Sequence, residues 1–314
     1  MDKNINAFLA VARSKTLTGA AKLIGLTQPS VTKRIANLEE TLGAALFERH
    51  RRGMTLTAAG QAFFQRAKRV EAELRQGREE VEIFSSAGLS VLRVGSGPLF
   101  HLDCVAELFK ILKSKYPNLL FELSTDVKLP TSELINEGTI DVYLGMTPEN
   151  LDDDIYIKYV TDVEHGIVLK ADDPHAQQAK IDPSVLKGYN WVIFAVDPET
   201  ERSIQEYCVP GSLDHPIIDV RTTSFTTGLQ LVQGGDFVMS APLQLAWVIE
   251  AAGLIIKPVI KGMPRRNAGV HVRKSALGYG VIKELLAFFE DFEFGYQTER
   301  VAQVKTDIQV LSNE

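Results

Sequence analysis

Cysteine is nearly absent: 314 residues include only Cys104 and Cys208. They lie far apart and in no metal-ligand spacing, so neither a disulfide framework nor a zinc site is expected, and two buried thiols are. No window approaches the roughly eighteen consecutive apolar residues of a membrane span. The opening stretch MDKNINAFLAVARSK lacks the long apolar run and small-residue cleavage site of a secretory leader, and its apolar residues are spaced as an amphipathic helix. The expected location is therefore the cytoplasm, with no membrane partner. Catalytic signatures are missing too. The six histidines (50, 101, 165, 175, 215 and 271) are scattered, and HExxH, GxSxG and GxxxxGK[ST] do not occur. GSGPLF has two glycines ahead of a helix but no third glycine and no acidic partner. The acidic run at residues 152–154 reads as a solvated loop. No catalytic set, metal or cofactor is expected, and the chain does not read as an enzyme.

At 45% hydrophobic and 24% charged residues, the chain has the composition of a soluble protein of two or three domains. Its formal net charge of −6 hides a division: residues 1–90 carry 14 Lys+Arg against 9 Asp+Glu, or +5, and the rest 20 against 31, or −11. A basic head on an acidic body points the head toward an anionic polymer.

The head opens with Ile5, Phe8, Leu9 and Ala12 at helical spacing. Thr18 is expected to cap a second, short helix, GAAKLIG, which stops at Gly25. A tight turn follows, then a third helix that Thr27 can cap, with Pro29 in its first turn, where a missing N–H costs nothing. Val31, Ile35 and Leu38 share one side of it, while Pro29, Lys33 and Asn37, flanked by Ser30 and Thr32, point away. Two short helices joined in this way form a helix-turn-helix, whose second helix fits the DNA major groove. Residues 46–49 and 54–57 can pair around Arg51, Arg52 and Gly53 as a wing tipped with guanidinium groups, able to reach phosphates or the narrow minor groove. Beyond it a long helix places Phe63, Ala67, Val70, Leu74, Gly77, Val81 and Phe84 at alternating spacings of four and three, a heptad seam that predicts a coiled-coil partner, most simply a second copy. The alternative is a stripe packed on its own body.

The run AFLAVARSKTLTGAAKLIGLTQPSVTKRIANLEETLGAALFERHRRGMTLTAAGQ, with its QPSV, LE, LG, LFER and LT..G, closely resembles the winged helix-turn-helix of the LysR-type transcriptional regulators. The resemblance implies that Gln28, Pro29, Ser30 and Lys33 face bases and nearby backbone, with Thr27, Thr32, Arg34 and Arg52 on phosphates. Lys33 stands where the family usually carries Arg, keeping the charge without the bidentate reach.

In the body, apolar runs alternate with helical patterns: VLRVG, NLLFEL and TIDVYLG, then HGIVLK, WVIFAV, IIDVR, FVMSA and LIIKPV, with AGVHVRK and a helix at residues 279–292 returning to the first lobe. This βαβ order predicts mostly parallel sheets covered on both faces, with crossings near Thr161 and Arg266. LRVG, YPNL and L..G.IDV.LG resemble the family's effector domain, itself similar to periplasmic binding proteins. The expected organisation is a winged helix-turn-helix at residues 1–58, a linker helix for dimerisation at 59–88 and a two-lobed α/β effector domain at 89–314, with lobe II at about 162–266. Ligands in open α/β sheets bind at the carboxyl ends of strands, which nominates Pro98, Leu99, Phe100, His101, Gly145, Met146, Phe194, Thr222 and Thr223. Leu99 falls where many family members place a Ser or Thr. Lys128, at the end of the second strand, could meet a carboxylate or phosphate, so an anionic effector is expected. The resemblance implies DNA as partner, a small-molecule effector, a homodimer and assembly into a homotetramer. The alternatives are an architectural DNA binder that senses nothing and a small-molecule enzyme with a DNA-binding head.

Overall fold

The computed structural model describes residues 2–51, 53–84, 89–125, 127, 131–150, 152–194, 198–208, 218–290, 292 and 294, without the side chains of 76, 79, 80, 82–84 and 198. The chain forms two compact units: the first comprises residues 1–89 with the short segment 136–139, and the second the remainder.

The first unit runs α1 (Lys3–Ser14), α2 (Leu17–Leu23), α3 (Gln28–Leu42), β1 (Phe47–His50), β2 (Gly53–Leu56) and α4 (Ala58–Phe84). Asp2 caps α1 by accepting the Asn4 and Ile5 N–H groups at 2.8 and 3.1 Å. The second helix is capped two residues earlier than expected: the Thr16 hydroxyl, not that of Thr18, accepts the Gly19 N–H at 3.0 Å. Thr27 is the N-cap of α3 by position, but its hydroxyl pairs with Ser30 at 2.9 Å. The core closes on Phe8, whose ring lies 5.2 Å from Phe47 and 5.1 Å from Phe63, with Leu9, Val11, Val31, Ile35 and Leu46 buried around it.

The second unit runs β3 (Val91–Ser96), α5 (Pro98–Asp103), α6 (Val105–Lys115), β4 (Leu120–Ser124), α7 (Ser132–Asn136), β5 (Val142–Met146), β6 (Ile155–Val163), β7 (His165–Lys170), β8 (Asn190–Phe194), α8 (Pro198–Ser203), β9 (Ile218–Thr222), α9 (Phe225–Gly234), β10 (Phe237–Pro242), α10 (Ala246–Ala251), β11 (Leu254–Pro258), β12 (Arg266–Arg273) and α11 (Gly280–Phe288). Two five-stranded sheets result, ordered β4-β3-β5-β12-β6 and β11-β7-β10-β8-β9. Both are mixed, which corrects the expectation of mostly parallel sheets: β12 runs antiparallel to β5 and β6, and β7 antiparallel to β10 and β11. The strands that arrive from the other lobe, β7 and β12, run in the reverse sense, and β6, absent from the sequence reading, leaves lobe I in the same sense as β5. The chain crosses at Glu164 and again just before Arg266, where Arg265 pairs with Glu164 at 3.1 Å. Within lobe I, buried Asp141 accepts the Arg93 N–H at 2.8 Å and ties β5 to β3, which gives the IDV stretch its acidic residue.

Candidate functional site

The first turns of α3 are held away from the core. Val31, Ile35 and Leu38 are buried, while Thr27, Gln28, Pro29, Ser30, Lys33 and Asn37 are exposed. Thr32 and Arg34 are half-buried and already engaged: the Thr32 hydroxyl donates to the Gln28 carbonyl at 3.0 Å, and Arg34 reaches the Lys3 carbonyl at 3.4 Å. Glu39, on the inner side of the helix, accepts the N–H groups of Leu46 and Phe47 at 2.7 and 3.2 Å, fixing the first wing strand against α3. Thr57 closes the wing's other side. Its hydroxyl donates to Ala45, its N–H donates to Leu46, and the hydroxyl accepts the Gly60 N–H at 2.9 Å. Gly60 has no alternative, because a Cβ there would stand 2.0 Å from the Leu46 carbonyl oxygen. Arg49, His50 and Arg51 are exposed along the wing; Arg49 was not among the sequence candidates, and Arg52 lies outside the described residues.

The heptad seam of α4 divides. Phe63 packs on Phe8 and Ala67 is fully buried in the head, so the first part of the seam serves the chain's own core rather than a partner. Val70, Leu74 and Val81 are left 45%, 42% and 67% exposed, on one apolar groove with Gly77. The side chain of Phe84 lies outside the described residues.

Between the two lobes of the second unit lies a cavity of about 60 Å³. Of the sequence candidates, Pro98, Leu99, Phe100, Gly145, Met146 and Phe194 line it. Each sits at a strand end or on the helix that follows. His101 does not: its half-buried imidazole lies against the carbonyls of Ser96 and Gly97, and burial holds its pKa below the ordinary value. Thr222 and Thr223 do not line it either. The Thr222 hydroxyl accepts the Ser224 N–H at 3.0 Å, Ser224 caps α9, and Phe225 supplies the wall instead. Lys128, on which the expectation of an anionic effector rested, lies outside the described residues, and the described wall carries no Lys, Arg, Asp or Glu. Sequence reasoning missed Tyr143, His165, Thr200, Ser240 and Pro242, which come from β5, β7, α8 and β10. Tyr143 folds over Gly145 so closely that a Cβ there would meet its hydroxyl at 2.4 Å, and its ring is edge-on to buried His271 at 5.3 Å. Both thiols are buried. Burial pushes the pKa of Cys208 up to about 12 and raises that of Cys104, which removes both from thiolate chemistry.

The family model "Bacterial regulatory helix-turn-helix protein, lysR family" matches residues 3–61, and "LysR substrate binding domain" matches residues 88–292, well over half of the chain. The chain belongs to the LysR family. Among its relatives, the "Uncharacterized HTH-type transcriptional regulator YybE" of Bacillus subtilis (strain 168) is 29% identical over 150 residues, 47% of this chain and 51% of that protein. The "Hca operon transcriptional activator HcaR" of Escherichia coli (strain K12) is 30% identical over 198 residues, 62% of this chain and 65% of that protein. The chain thus spans about half of the first relative and just under two thirds of the second. The solved LysR-family regulator CbnR superimposes with a TM-score of 0.62 at 18% identity, covering 92% of this chain and 98% of that one. CbnR bound to its target DNA gives a TM-score of 0.61. At these identities the likeness is one of fold, and it includes both the LysR-type head and the two-lobed domain. No helix among the described residues is long and apolar enough to cross a membrane.

Proposed function

We propose that the chain is a sequence-specific, DNA-binding transcriptional regulator of LysR type that acts in the cytoplasm, is controlled by a small molecule held between the lobes of its second unit, and performs no chemical step. The outward face of α3 carries the reading: its first turns expose Gln28, Pro29, Ser30 and Lys33 beside a wing of exposed Arg49 and Arg51. Gln28 and Ser30 would read base edges, Lys33 a base edge or phosphate, and Thr27, Thr32, Arg34, Arg51 and Arg52 the backbone. The apolar remainder of the α4 seam, Val70, Leu74 and Val81, would pair two copies, and pairs of dimers would form a tetramer. Residues 1–58 would serve as the DNA-binding domain, 59–88 as the linker and the rest as the sensor. Effector binding would favour one arrangement of the lobes and so alter how dimers pack, a shift of population.

The test is fluorescence anisotropy on a duplex selected by the protein, titrated with salt. Lys33→Ala is expected to lower the salt slope by about one phosphate contact, and Gln28→Ala to reduce the preference for the selected duplex over a scrambled one. Unchanged slope and preference in both variants would remove α3 as the reading element.

A further inference from the structure

Resting on that assignment of the cleft as the effector site, we infer that the effector is an uncharged, single-ring aromatic compound carrying one hydroxyl or carbonyl group, bonded to Ser240, rather than a carboxylate.

Four observations converge on it. Rings reach the cavity from both lobes: Phe100 from lobe I, and Phe194 and Phe225 from lobe II, the latter two edge-on at 6.1 Å. Phe100 is backed by Phe289 at 5.9 Å and Phe294 at 4.9 Å, so its place on the wall is set by an aromatic stack behind it. Such a wall favours a flat apolar guest through burial and edge-to-face ring contacts.

Charge is absent from the described wall, whose polar side chains are Tyr143, His165, Thr200 and Ser240. A carboxylate taken from water into such a site would lose its hydration without a fixed counter-charge. Part of the set of backbone donors that could replace one is spent or missing. Helix α5 opens with Pro98, which has no N–H, and the N–H groups of Phe100 and His101 both donate to the Gly97 carbonyl. At α9 the Ser224 side chain already accepts the Thr227 N–H.

Ser240 supplies the polar contact. It is buried, lines the cavity, and its described hydrogen bond goes to the Met263 thioether at 3.9 Å, a weak acceptor. A hydroxyl or carbonyl of the guest is a stronger partner for it. Size limits the guest as well: at about 60 Å³ the cavity is smaller than the roughly 150 Å³ apolar cavity known to take up benzene, which leaves room for no more than a single ring.

The experiment measures thermal midpoints and calorimetric affinities of the full chain with phenol and benzamide on one side and benzoate on the other, at pH 7.5 and pH 5.5. The lower pH also reads any pH-dependent binding of benzoate. Wild type is compared with Ser240→Ala, Leu99→Trp, which fills the cavity, and Lys128→Ala. The expected result is a raised midpoint with the neutral compounds and none with benzoate at either pH. Ser240→Ala should weaken the neutral compounds about fivefold, Leu99→Trp should abolish their binding, and Lys128→Ala should leave it intact. Benzoate binding that Leu99→Trp abolishes would keep the cleft as the effector site and overturn the uncharged class, with loss in Lys128→Ala naming the counter-charge. Neutral binding that survives both Ser240→Ala and Leu99→Trp would place the compound elsewhere and overturn the inference. No response to either series, with variants whose unliganded midpoints match wild type, would overturn it as well, while leaving the DNA-binding test to decide the regulator reading by itself.

Discussion

His271 sits in the middle of a sheet, on β12 between β5 and β6, 1% exposed, with its Nε2 3.4 Å from the Thr147 hydroxyl. Burial depresses its pKa to about 4 from an ordinary 6.5. A base whose folded-state pKa is depressed costs nothing above its unfolded value. As pH falls below 6.5 the unfolded chain takes up a proton that the folded one refuses, and the cost reaches its full size below about pH 4. At pH 5 it is about 2 kcal/mol, at about 1.4 kcal/mol for each unit below 6.5. Melting the chain at pH 7.5 and pH 5.0 should show a drop that His271→Gln reduces, and equal drops in the two proteins would contradict the burial account. A histidine of this kind is not visible in sequence. AGVHVRK alternates as a strand should, but which face of β12 is covered depends on Tyr143, more than a hundred residues away.

Among the elements, the wing shows how local signals and long-range contacts divide the work. Its basic tip and its glycine turn were legible, as was the reversal of the chain. Its angle to α3 was not, because that is set by Glu39 accepting two backbone N–H groups from β1. Hydrogen bonds to a charged acceptor contribute about 1.5–3 kcal/mol. Glu39→Ala is therefore expected to cost the head roughly that much and to weaken DNA binding, with Glu39→Gln, which keeps the acceptor oxygen, recovering part of both. Chemical denaturation together with anisotropy checks it, and a head as stable in Glu39→Ala as in wild type would refute it. Strand β6 was the element the sequence concealed. Its nine residues, IYIKYVTDV, mix Lys158, Thr161 and Asp162 among apolar ones because it is an edge strand, exposed along part of one side. The run LDCVAELFKILKSKY, residues 102–116, has the pattern of a single helix, yet the chain there forms two, α5 and α6, which meet at Cys104. Its start is earlier too, since Pro98 opens the first of them.

For the whole molecule, the basic head and acidic body imply association with DNA through one end of the chain, strongly dependent on salt. Two heads joined through α4 would meet two half-sites about 34–36 Å apart, or a multiple of that. Hydroxyl-radical footprinting is expected to show paired protections at that spacing, and Leu74→Glu, on the exposed part of the seam, to give a monomer in sedimentation and a single weak protection. A dimer that persists in Leu74→Glu would move the interface elsewhere. Periodicity, caps and the charge division are properties of neighbouring residues, so the sequence by itself determined the helix-turn-helix, the wing, the long helix and the two-lobed α/β class. The carboxyl ends of the strands also marked six of the cavity's wall positions. Which part of the α4 seam faces outward was decided only in three dimensions, because Phe63 and Ala67 are claimed by Phe8 and the head core. The character of the cleft was decided there too: Tyr143, His165, Phe225 and Ser240 come from four separate elements, and only the packing of two mixed sheets brings them to one cavity. Local pattern reports what each residue's neighbours demand, while a binding wall is made by residues that the fold, and not the chain, puts side by side.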